Sequence, residues 1–572
     1  MRDEKPPITR RAFAGGLAAA GLAALLSGCT RAVDASTQQT QAKPADDPHR
    51  GGTLRCRITA PATIDPALAE DEAARQVAAC LFTPLTRYDH RDYALKCLAA
   101  ESYRANTEHT EYTFYLLHGA TFHNNEPVTA DCFKHAWERV LRRCAGMETP
   151  PAGARYLADI AGAAEFASGD ADEVTGLKVV DDYTLTVTLA AARPDFPYAV
   201  SWVALAPVPL GTPLDGDAAF AASPVGNGPF QMASAWDGGS TIELARFDAY
   251  ACDDPALLDR VQFAIEPDPE VAWQRLIAGD LDFTEIPVAR IPEALAAYGE
   301  SSDGGTVNPG GQILLGTEER VEYLVFNTAD EVAGNAVLRD ALISAFDETT
   351  NCQSVLGNLA VPATDIIPAG VSGSDDKDWG GYKYDSALAL GKLVDAGLVS
   401  DPAQPLDEGA DYLSPVLPVT YLAGDPVRDQ HLAALQTQAA AVGVSIELEP
   451  VEADEYRRRL LAGDFVVALA SWTAHVPLAD DILYPLFHSQ SPYNYGRYAN
   501  PDVDKSLATA RTLLSDSTRR SAYKEIDKTV GSTRPVIPLV YPRHRHVGAS
   551  DVNKLYLSPE GLLDLSKTWL TK

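Results

Sequence analysis

The chain has 572 residues, which is longer than one domain usually is, and it predicts about two to four domains. With 46% hydrophobic and 22% charged residues, the composition is that of a folded globular protein with a large buried core. The formal net charge of -32, without any stripe of Lys and Arg, excludes nucleic acid as a partner, because phosphate binding needs clustered positive charge. So much acidity favours solubility, with weak attraction of cationic ligands to an acidic cleft as the alternative.

The amino terminus, residues 1–28, has the features of an export signal. The basic pair Arg10 and Arg11 resembles a twin-arginine signal, and the uncharged run over 14–26 is short for a membrane span, which needs about 20 apolar residues. The sequence Leu-Ser-Gly-Cys that ends at Cys29 resembles a lipobox, in which cleavage occurs before the cysteine and its sulfur receives a diacylglycerol. We therefore predict an exported lipoprotein, anchored by lipid alone to the outer face of the cell membrane, at the cell surface or in the periplasmic space.

The folded part of the chain is predicted to begin with a strand over 51–58, where apolar and polar residues alternate. A helix is expected over 72–82 and a strand over 112–116, after which Thr129 is placed to cap a helix over 130–142. Alternating helices and strands of this kind favour α/β lobes with mixed sheets. Later strands are predicted at 182–189, 241–244, 419–422 and 445–448. Three later helices are predicted, one that ends at Gly279 and two that cover 338–345 and 427–442.

The motifs of metal sites and of common enzymes are absent from the sequence. Seven cysteines follow Cys29, an odd number that leaves at least one thiol over in an exported protein. Without a CxxC pair or a His/Cys cluster at ligand spacing, we predict no metal site and no cofactor. The sequence also lacks GxSxG, HExxH, SxxK and Walker-type motifs and a recognisable pair of catalytic carboxylates, so we predict that the protein is not an enzyme.

Short motifs spread over most of the chain give its most specific signal. They are Thr63–Pro66, Leu98–Tyr103, Tyr112–Phe114, Pro127–Asp131, Gly226–Phe230, Ala278–Asp282, Phe326–Thr328, Leu338–Leu342 and Ile367–Gly370. On these residues the chain resembles the extracellular solute-binding proteins of family 5, which include oligopeptide-, dipeptide- and nickel-binding subunits of importers. Within the motifs, we expect Gly226 and Gly228 to allow a close approach of two backbones, and Asn327 to tie a crossing segment by hydrogen bonds.

The resemblance implies an α/β fold, namely a two-lobed clamp of the periplasmic-binding-protein type (type II, with mixed sheets) that carries an additional subdomain. The lobes of such a clamp close over the ligand by hinge motion. The predicted division is a signal peptide at 1–28, a flexible tether at 29–50, lobe I at 51–87, 211–320 and 541–572, an extra subdomain at 88–210, and lobe III at 321–540.

The resemblance also implies a function, that of a monomeric substrate-binding lipoprotein which delivers oligopeptides to the permease subunits of an ABC importer. In oligopeptide-binding members the peptide lies extended between the lobes and its main chain pairs like an added strand. An ungapped match over 65–85 implies ligand contact at Glu70, Asp71 and Glu72, and a looser match implies it at Tyr156. The alternatives are a solvated acidic loop for the first three residues and packing between helices for Tyr156.

The stretch from Trp472 through Thr473 to His475 matches the family with one departure. In peptide-binding relatives the corresponding Trp is followed three residues later by an Asp, whose carboxylate pairs with the α-ammonium of the peptide. His475 stands at that position here, and a neutral imidazole offers no full charge, while a protonated one repels an ammonium. Trp472 is expected to form a pocket wall or to pack in the core. Either the ligand lacks a free ammonium or another carboxylate supplies the charge, for which the candidates are Glu70, Asp71, Asp480 and Asp481.

Other functions remain open at the level of sequence. Nickel chelates, haem and oligosaccharides are alternative solutes within the same family, and His475, His488, His544 and His546 keep a chelate open. A receptor for peptide pheromones needs the same clamp, so the sequence does not separate sensing from uptake.

Overall fold

The computed structural model describes residues 48, 50–372, 379, 383–400 and 415–571, together with a two-residue strand at Ile8–Thr9. Most of the predicted export signal, the predicted lipidation site Cys29 and most of the predicted tether lie outside the described residues. Within these ranges, none of the helices combines the length and the apolar character that crossing a membrane requires.

The predicted helices occur close to their expected bounds. The first begins after Asp71, whose side chain accepts the Ala74 amide as an N-cap. Thr129 stands at the N-cap position of the next helix as predicted, but its hydroxyl contacts the Cys132 sulfur and caps no amide, which corrects that expectation. The helices are Glu72–Leu81, Ala130–Arg143, Ala152–Leu157, Ala163–Ser168, Phe196–Ala199, Ala218–Ala222, Pro269–Ala278, Ile291–Tyr298, Ala336–Ala345, Glu348–Thr350, Ser386–Asp395, Pro426–Ala440, Ala453–Ala462, Asp480–Phe487, Pro501–Ala510 and Asp516–Thr533.

A seven-stranded mixed sheet gathers strands from distant parts of the chain. Thr53–Ile58 lies in its middle and runs parallel to Arg260–Ile265 on one side and to Phe283–Glu285 on the other. We keep the name lobe I for the part of the chain built on this sheet. Across the sheet the order is Ile313–Leu314, His546–Gly548, Phe283–Glu285, Thr53–Ile58, Arg260–Ile265, Thr241–Arg246 and Phe230–Met232.

A five-stranded antiparallel sheet forms the part for which we keep the name extra subdomain. The helix Ala130–Arg143 packs against it, and the Trp137 indole on this helix donates a hydrogen bond of 2.8 Å to the Leu205 carbonyl. The order across the sheet is Ile8–Thr9, Ala100–Ala105, Glu111–Leu116, Thr184–Thr188 and Leu177–Asp181.

A six-stranded mixed sheet forms the part that we call lobe III. Two of its seven-residue strands, Arg320–Phe326 and Val467–Thr473, pair antiparallel along their whole length. The predicted bounds of the three units stay a prediction. The order across the sheet is Ala360–Pro362, Val536–Pro542, Arg320–Phe326, Val467–Thr473, Val416–Leu422 and Ser445–Val451. Short pairs join Thr86–Tyr88 to Leu95–Cys97, Val552–Asn553 to Trp569–Leu570, and Tyr556–Leu557 to Leu563–Asp564.

Two of the sequence motifs lie where two segments of the chain cross, as predicted. A Cβ atom at Gly226 would lie only 2.0 Å from the Leu81 carbonyl oxygen, so the two backbones are too close for any side chain. The side-chain amide of Asn327 donates hydrogen bonds of 3.1 Å to the carbonyls of Gly463 and Phe465. Both motifs therefore serve the fold.

A buried ion pair joins lobe I to the extra subdomain. Arg139 donates two hydrogen bonds, of 2.7 and 2.5 Å, to the two carboxylate oxygens of Asp65, and both side chains are 1% exposed. Removing one partner of such a pair leaves a buried charge uncompensated, at a cost of about 3–5 kcal/mol. Asp65, in the motif Thr-Ile-Asp-Pro, thus ties the segment before the first helix to the extra subdomain.

Two carboxyl groups, those of Asp365 and Asp527, adjoin in the core of lobe III. The Trp379 indole donates to Asp527 at 2.8 Å, and the Ile367 amide donates to Asp365 at 3.1 Å. Burial, and then the charge of Asp527, raise the pKa of Asp365 to about 9. At neutral pH the pair therefore shares a proton.

Replacing Asp365 by Asn should make the stability of the protein less dependent on pH. Because the pKa of Asp365 is raised in the folded chain, the folded state binds the proton more tightly, and the free energy of unfolding falls as the pH rises from about 4 to about 9. Between about pH 5 and pH 8.5 this fall should be smaller in Asp365→Asn by on the order of 2 kcal/mol. Urea unfolding at both pH values measures it, with the exposed Asp395→Asn as control. The same pH dependence in Asp365→Asn and in the unchanged protein would contradict the shared proton.

Candidate functional site

A cavity of about 400 Å³ lies between lobe I and lobe III, and we call it the interlobe cleft. Lobe I contributes Arg57, Glu72 and Glu285 to its wall, and lobe III contributes Arg320 and Thr473. The volume lies in the range of about 300–1,000 Å³ that is usual for pockets of small ligands.

The strand Val467–Thr473 presents an unpaired edge at the cleft. On one side it pairs along its whole length with Arg320–Phe326, whereas on the other side its pairing with Val416–Leu422 stops at Ala468. In the described part of the chain, no strand pairs with Ala470–Thr473 on this second side. These backbone N–H and C=O groups can therefore pair with an extended ligand.

The carboxylate of Asp481 is the centre of a cluster of buried side chains at the end of this strand, and we call this cluster the pocket. It accepts hydrogen bonds from the Tyr156 hydroxyl at 2.8 Å and from the His475 backbone amide at 2.7 Å. The guanidinium of Arg155 lies 3.5 Å from it, and the Trp472 indole donates to the Asp481 carbonyl at 2.9 Å. The extra subdomain and lobe III thus meet at one buried carboxylate.

Both charged groups of this pocket remain ionised. Burial tends to raise the pKa of Asp481, but the hydrogen bond with His475 and the charge of Arg155 outweigh burial and hold the pKa below its usual value. Burial tends to lower the pKa of Arg155, and the charge of Asp481 overcomes this effect, so that the pKa is raised. The Arg155 guanidinium also lies over the rings of Trp472 and Tyr493, 5.5 and 5.4 Å from their centroids.

Glu70 is a second carboxylate of the pocket. Its negative charge acts on Arg155, Tyr156 and Tyr493. The Oε1 atom of Glu70 is shielded from solvent and has no hydrogen-bond partner. A buried carboxylate oxygen of this kind favours a donor from a ligand.

The two residues that follow Glu70 have other surroundings. Asp71 accepts the amides of Ala74 and Ala62 at 2.8 and 3.1 Å, so one carboxylate oxygen caps the helix and the other holds the preceding loop. Glu72 lines the interlobe cleft, whose walls displace water from it and, with the nearby charge of Glu318, raise its pKa.

The structure thus brings Glu70, Tyr156, Trp472 and His475 together around Asp481. Glu72 and Thr473 line the adjoining cleft, and Asp71 caps a helix. Ligand contact by these seven predicted residues stays a prediction.

Asp480 lies outside the pocket, although it precedes Asp481 in the chain. It accepts hydrogen bonds from Tyr523 at 2.9 Å, from Arg511 at 3.2 Å and from Arg193 at 3.4 Å. Of the four carboxylates that the sequence offers in place of the expected Asp, only Glu70 and Asp481 therefore reach the pocket.

The sequence interpretation missed Arg155 and Tyr493 as members of the pocket. Arg155 directly precedes Tyr156, and its position in a stretch already matched to the family was a signal that could have found it. Nothing in the sequence links Tyr493 to Trp472, whose ring centroids are 5.4 Å apart. Among the residues that the structure describes, no cluster of three or more His, Cys, Asp or Glu side chains is arranged to hold a metal ion.

The fold and the cleft define the class of the protein as a two-lobed α/β clamp with mixed sheets and an additional subdomain, so the predicted fold is confirmed. The family described as bacterial extracellular solute-binding proteins, family 5 Middle, matches residues 94–494. The chain belongs to this family, whose members are substrate-binding proteins of transporters.

Similar proteins cover nearly the whole chain. The chain is 25% identical over 562 residues to the dipeptide-binding protein DppE of Bacillus subtilis (strain 168), which covers 97% of this chain and 98% of the relative. It is 27% identical over 486 residues to the probable deoxycholate-binding periplasmic protein YgiS of Escherichia coli (strain K12), with coverages of 84% and 86%. The solved structure of the oligopeptide-binding protein AppA from Bacillus subtilis in complex with a nonapeptide has a TM-score of 0.72 at 20% identity, with 92% of this chain and 100% of that chain covered. This likeness in structure shows the fold.

Replacing His475 by Asp, the residue that the family pattern leads one to expect, should destabilise the unliganded protein. The new carboxylate would lie beside Asp481, whose Oδ2 is 3.6 Å from the His475 Nδ1, and like charges at this distance repel. At about pH 7 the free energy of unfolding should fall by on the order of 1–3 kcal/mol, and it should recover near pH 4 as one carboxyl is protonated. Urea unfolding measures both values, with His475→Asn as the uncharged control. A loss of equal size at both pH values would argue against charge repulsion.

Proposed function

We propose that the protein is the substrate-binding component of an ABC importer and captures short peptides in the interlobe cleft. The observation that carries this proposal is the unpaired edge of Ala470–Thr473, which ends beside the pocket of Glu70 and Asp481. An extended peptide needs both features, a strand edge for its main chain and a negative environment for its amino end.

The strand edge supplies recognition that does not depend on the peptide sequence. Hydrogen bonds from Ala470–Thr473 go to the peptide main chain, which every peptide possesses, and the side chains of the peptide project to either side. The interlobe cleft offers charged walls of both signs for these side chains, lined by Arg57 and Arg320 and by Glu72 and Glu285. The protein should therefore accept peptides of many different sequences.

The pocket at the end of the strand fits the α-ammonium group of a peptide. Two carboxylates, Glu70 and Asp481, face the single cation Arg155, so the pocket carries one surplus negative charge while His475 is neutral. Asp481 already has its hydrogen bonds filled, whereas Glu70 has an oxygen without a donor. Glu70 is therefore the direct partner of the ammonium in this proposal, and Asp481 supports it through charge.

Contacts between the extra subdomain and lobe III hold the clamp closed. Arg193 lies 3.4 Å from Asp480, and Arg511 lies 3.2 Å from Asp159. A ligand that touches both lobes shifts the equilibrium further toward this form, and the permease subunits then meet the closed, loaded protein. The relatives named as peptide-binding proteins support this assignment of the ligand, and uptake or sensing of peptides uses the same step.

Peptides should stabilise the protein, and Glu70 should decide the preference for a free amino end. A mixture of peptides of roughly three to ten residues should raise the melting temperature by mass action. In calorimetric titration, Glu70→Gln should weaken the binding of a peptide with a free amino end by roughly 10- to 100-fold and hardly affect the N-acetylated peptide. The reason is that only the free peptide has an ammonium group that pairs with the Glu70 carboxylate. Glu126→Gln is the matched control, since it makes the same change at an exposed carboxylate of the extra subdomain.

Two results would contradict this proposal at different levels. Equal losses for the free and the acetylated peptide in Glu70→Gln would remove Glu70 from the amino pocket. No stabilisation by any peptide, alongside stabilisation by a nickel chelate, haem or an oligosaccharide, would refute the peptide assignment itself.

Lipid anchoring through Cys29 is part of the same proposal, since a tethered binding protein stays near its permease. Cys29→Ala removes the sulfur that would carry the lipid, so the protein should appear in the soluble fraction or the medium instead of the membrane fraction. Cell fractionation with immunodetection measures this, and Cys132→Ala, which changes a buried cysteine of the fold, should stay with the membrane. Retention of Cys29→Ala in the membrane fraction would disprove the lipid anchor.

A further inference from the structure

A second cavity, of about 220 Å³, lies between lobe I and the extra subdomain, and we call it the side cavity. It shares Arg75, Glu560 and Leu563 with the wall of the interlobe cleft, so the two cavities adjoin. Trp202 and His475 form another part of its wall, and their ring centroids are 4.8 Å apart. The proposed function does not use this space.

Three N–H groups of the side cavity have no acceptor. They are the Nε of Arg75, the Nδ1 of His90 and the indole Nε1 of Trp202, and each is shielded from solvent and lacks a hydrogen-bond partner. The side chains of Arg75 and His90 are only 7% and 10% exposed, and Trp202 is 4% exposed. Buried donors are nearly always paired, so three of them around one cavity indicate an acceptor group that enters it.

One carboxylate, that of Glu560, lies beside two of these donor side chains. The carboxylate of Glu560 lies 3.4 Å from Arg75 and 3.1 Å from His90. Burial opposes the charged form of His90, but the hydrogen bond and charge of Glu560 outweigh it and raise the pKa of His90. Glu319 also acts on His90, and burial raises the pKa of Glu319. The Glu560 carboxylate is thus shared between Arg75 and His90.

We propose that the side cavity binds a carboxylate group, held by the N–H donors of Arg75, His90 and Trp202. A carboxylate brings two acceptor oxygens and places a negative charge next to Arg75, and hydrogen bonds to a charged acceptor are the strong ones. The Trp202 indole is fixed for this role between the Arg75 guanidinium, 5.6 Å from its centroid, and the His475 ring.

The carboxylate has two sources, a peptide in the interlobe cleft or a separate small acid. In the first case the inference rests on the proposed function, because an acidic side chain or the carboxyl terminus of the peptide passes Arg75 and Glu560 from one cavity into the other. In the second case a small carboxylic acid occupies the side cavity by itself.

The first arm of the test is a scan of alanine pentapeptides with Glu or Gln at each position in turn, with free and with amidated carboxyl termini. Calorimetric titration should show one position in the peptide, or its carboxyl terminus, at which the carboxylate form binds at least about tenfold more tightly than the amide form. Trp202→Phe keeps an aromatic ring, smaller than the indole, but removes the N–H, and His90→Gln keeps a donor for Glu560. Each should reduce this preference about threefold or more, whereas Trp273→Phe, which is buried elsewhere in lobe I, should leave it unchanged.

The second arm needs no peptide. Glutarate and acetate, compared with chloride at equal ionic strength, should raise the melting temperature of the unchanged protein and of Trp273→Phe, but not of Trp202→Phe or His90→Gln, if a small acid is the source. Stabilisation of this kind without a preference in the peptide scan assigns the cavity to a separate acid.

The outcomes separate the two proposals. Peptides that bind without any preference for a carboxylate, together with no variant-sensitive effect of the small acids, overturn the carboxylate site and leave the proposed function standing. If no peptide binds, the proposed function fails, and the second arm alone decides the carboxylate site, which is overturned when the small acids fail to stabilise the protein.

Discussion

The buried carboxylate of Asp481 is the interaction on which the arrangement of the site depends. A charge removed from water must be paired, and Asp481 is paired from two parts of the chain at once. Tyr156 and Arg155 approach it from the extra subdomain, and the backbone of His475 approaches it from lobe III. Separating these parts would leave the carboxylate with the His475 amide and would remove Tyr156 and Arg155. Docking of the extra subdomain on lobe III and formation of the pocket are therefore one event.

Trp202 and His475 connect the pocket to the side cavity. Both line the side cavity beside the unpaired nitrogens of Arg75 and His90, and the backbone amide of His475 donates to Asp481 in the pocket. An Asp at position 475 would add negative charge to the wall that both spaces share. A histidine leaves the wall uncharged when neutral, so the acidic groups of the pocket are Glu70 and Asp481 instead.

The motifs that carry the family resemblance serve chain crossings more than ligand contact. Asp65 is held by Arg139 in a buried ion pair, Gly226 allows the contact with Leu81, and Asn327 ties a crossing segment. The residues around the pocket lie outside these motifs. This division has a physical reason, because a crossing tolerates few side chains, whereas a pocket can place its charge on any of several neighbouring positions.

The local pattern of apolar and polar residues alone determined a large part of the secondary structure and the fold of this protein. Period-two alternation over 51–58 and helical periodicity over 72–82 gave elements whose observed bounds are Thr53–Ile58 and Glu72–Leu81. The order of the motifs gave the family and therefore the two-lobed fold. These features are readable because they depend on residues close in sequence, or on turns that only glycine permits.

The choice of carboxylate in the pocket was decided only by tertiary structure. Asp480 and Asp481 are adjacent, and on a helix successive side chains point about 100° apart. Packing of the helix Asp480–Phe487 turns Asp480 toward Arg511 and Tyr523 and Asp481 toward Tyr156. Nothing in the sequence separates the two, because their difference arises from distant residues that meet only when the extra subdomain docks on lobe III.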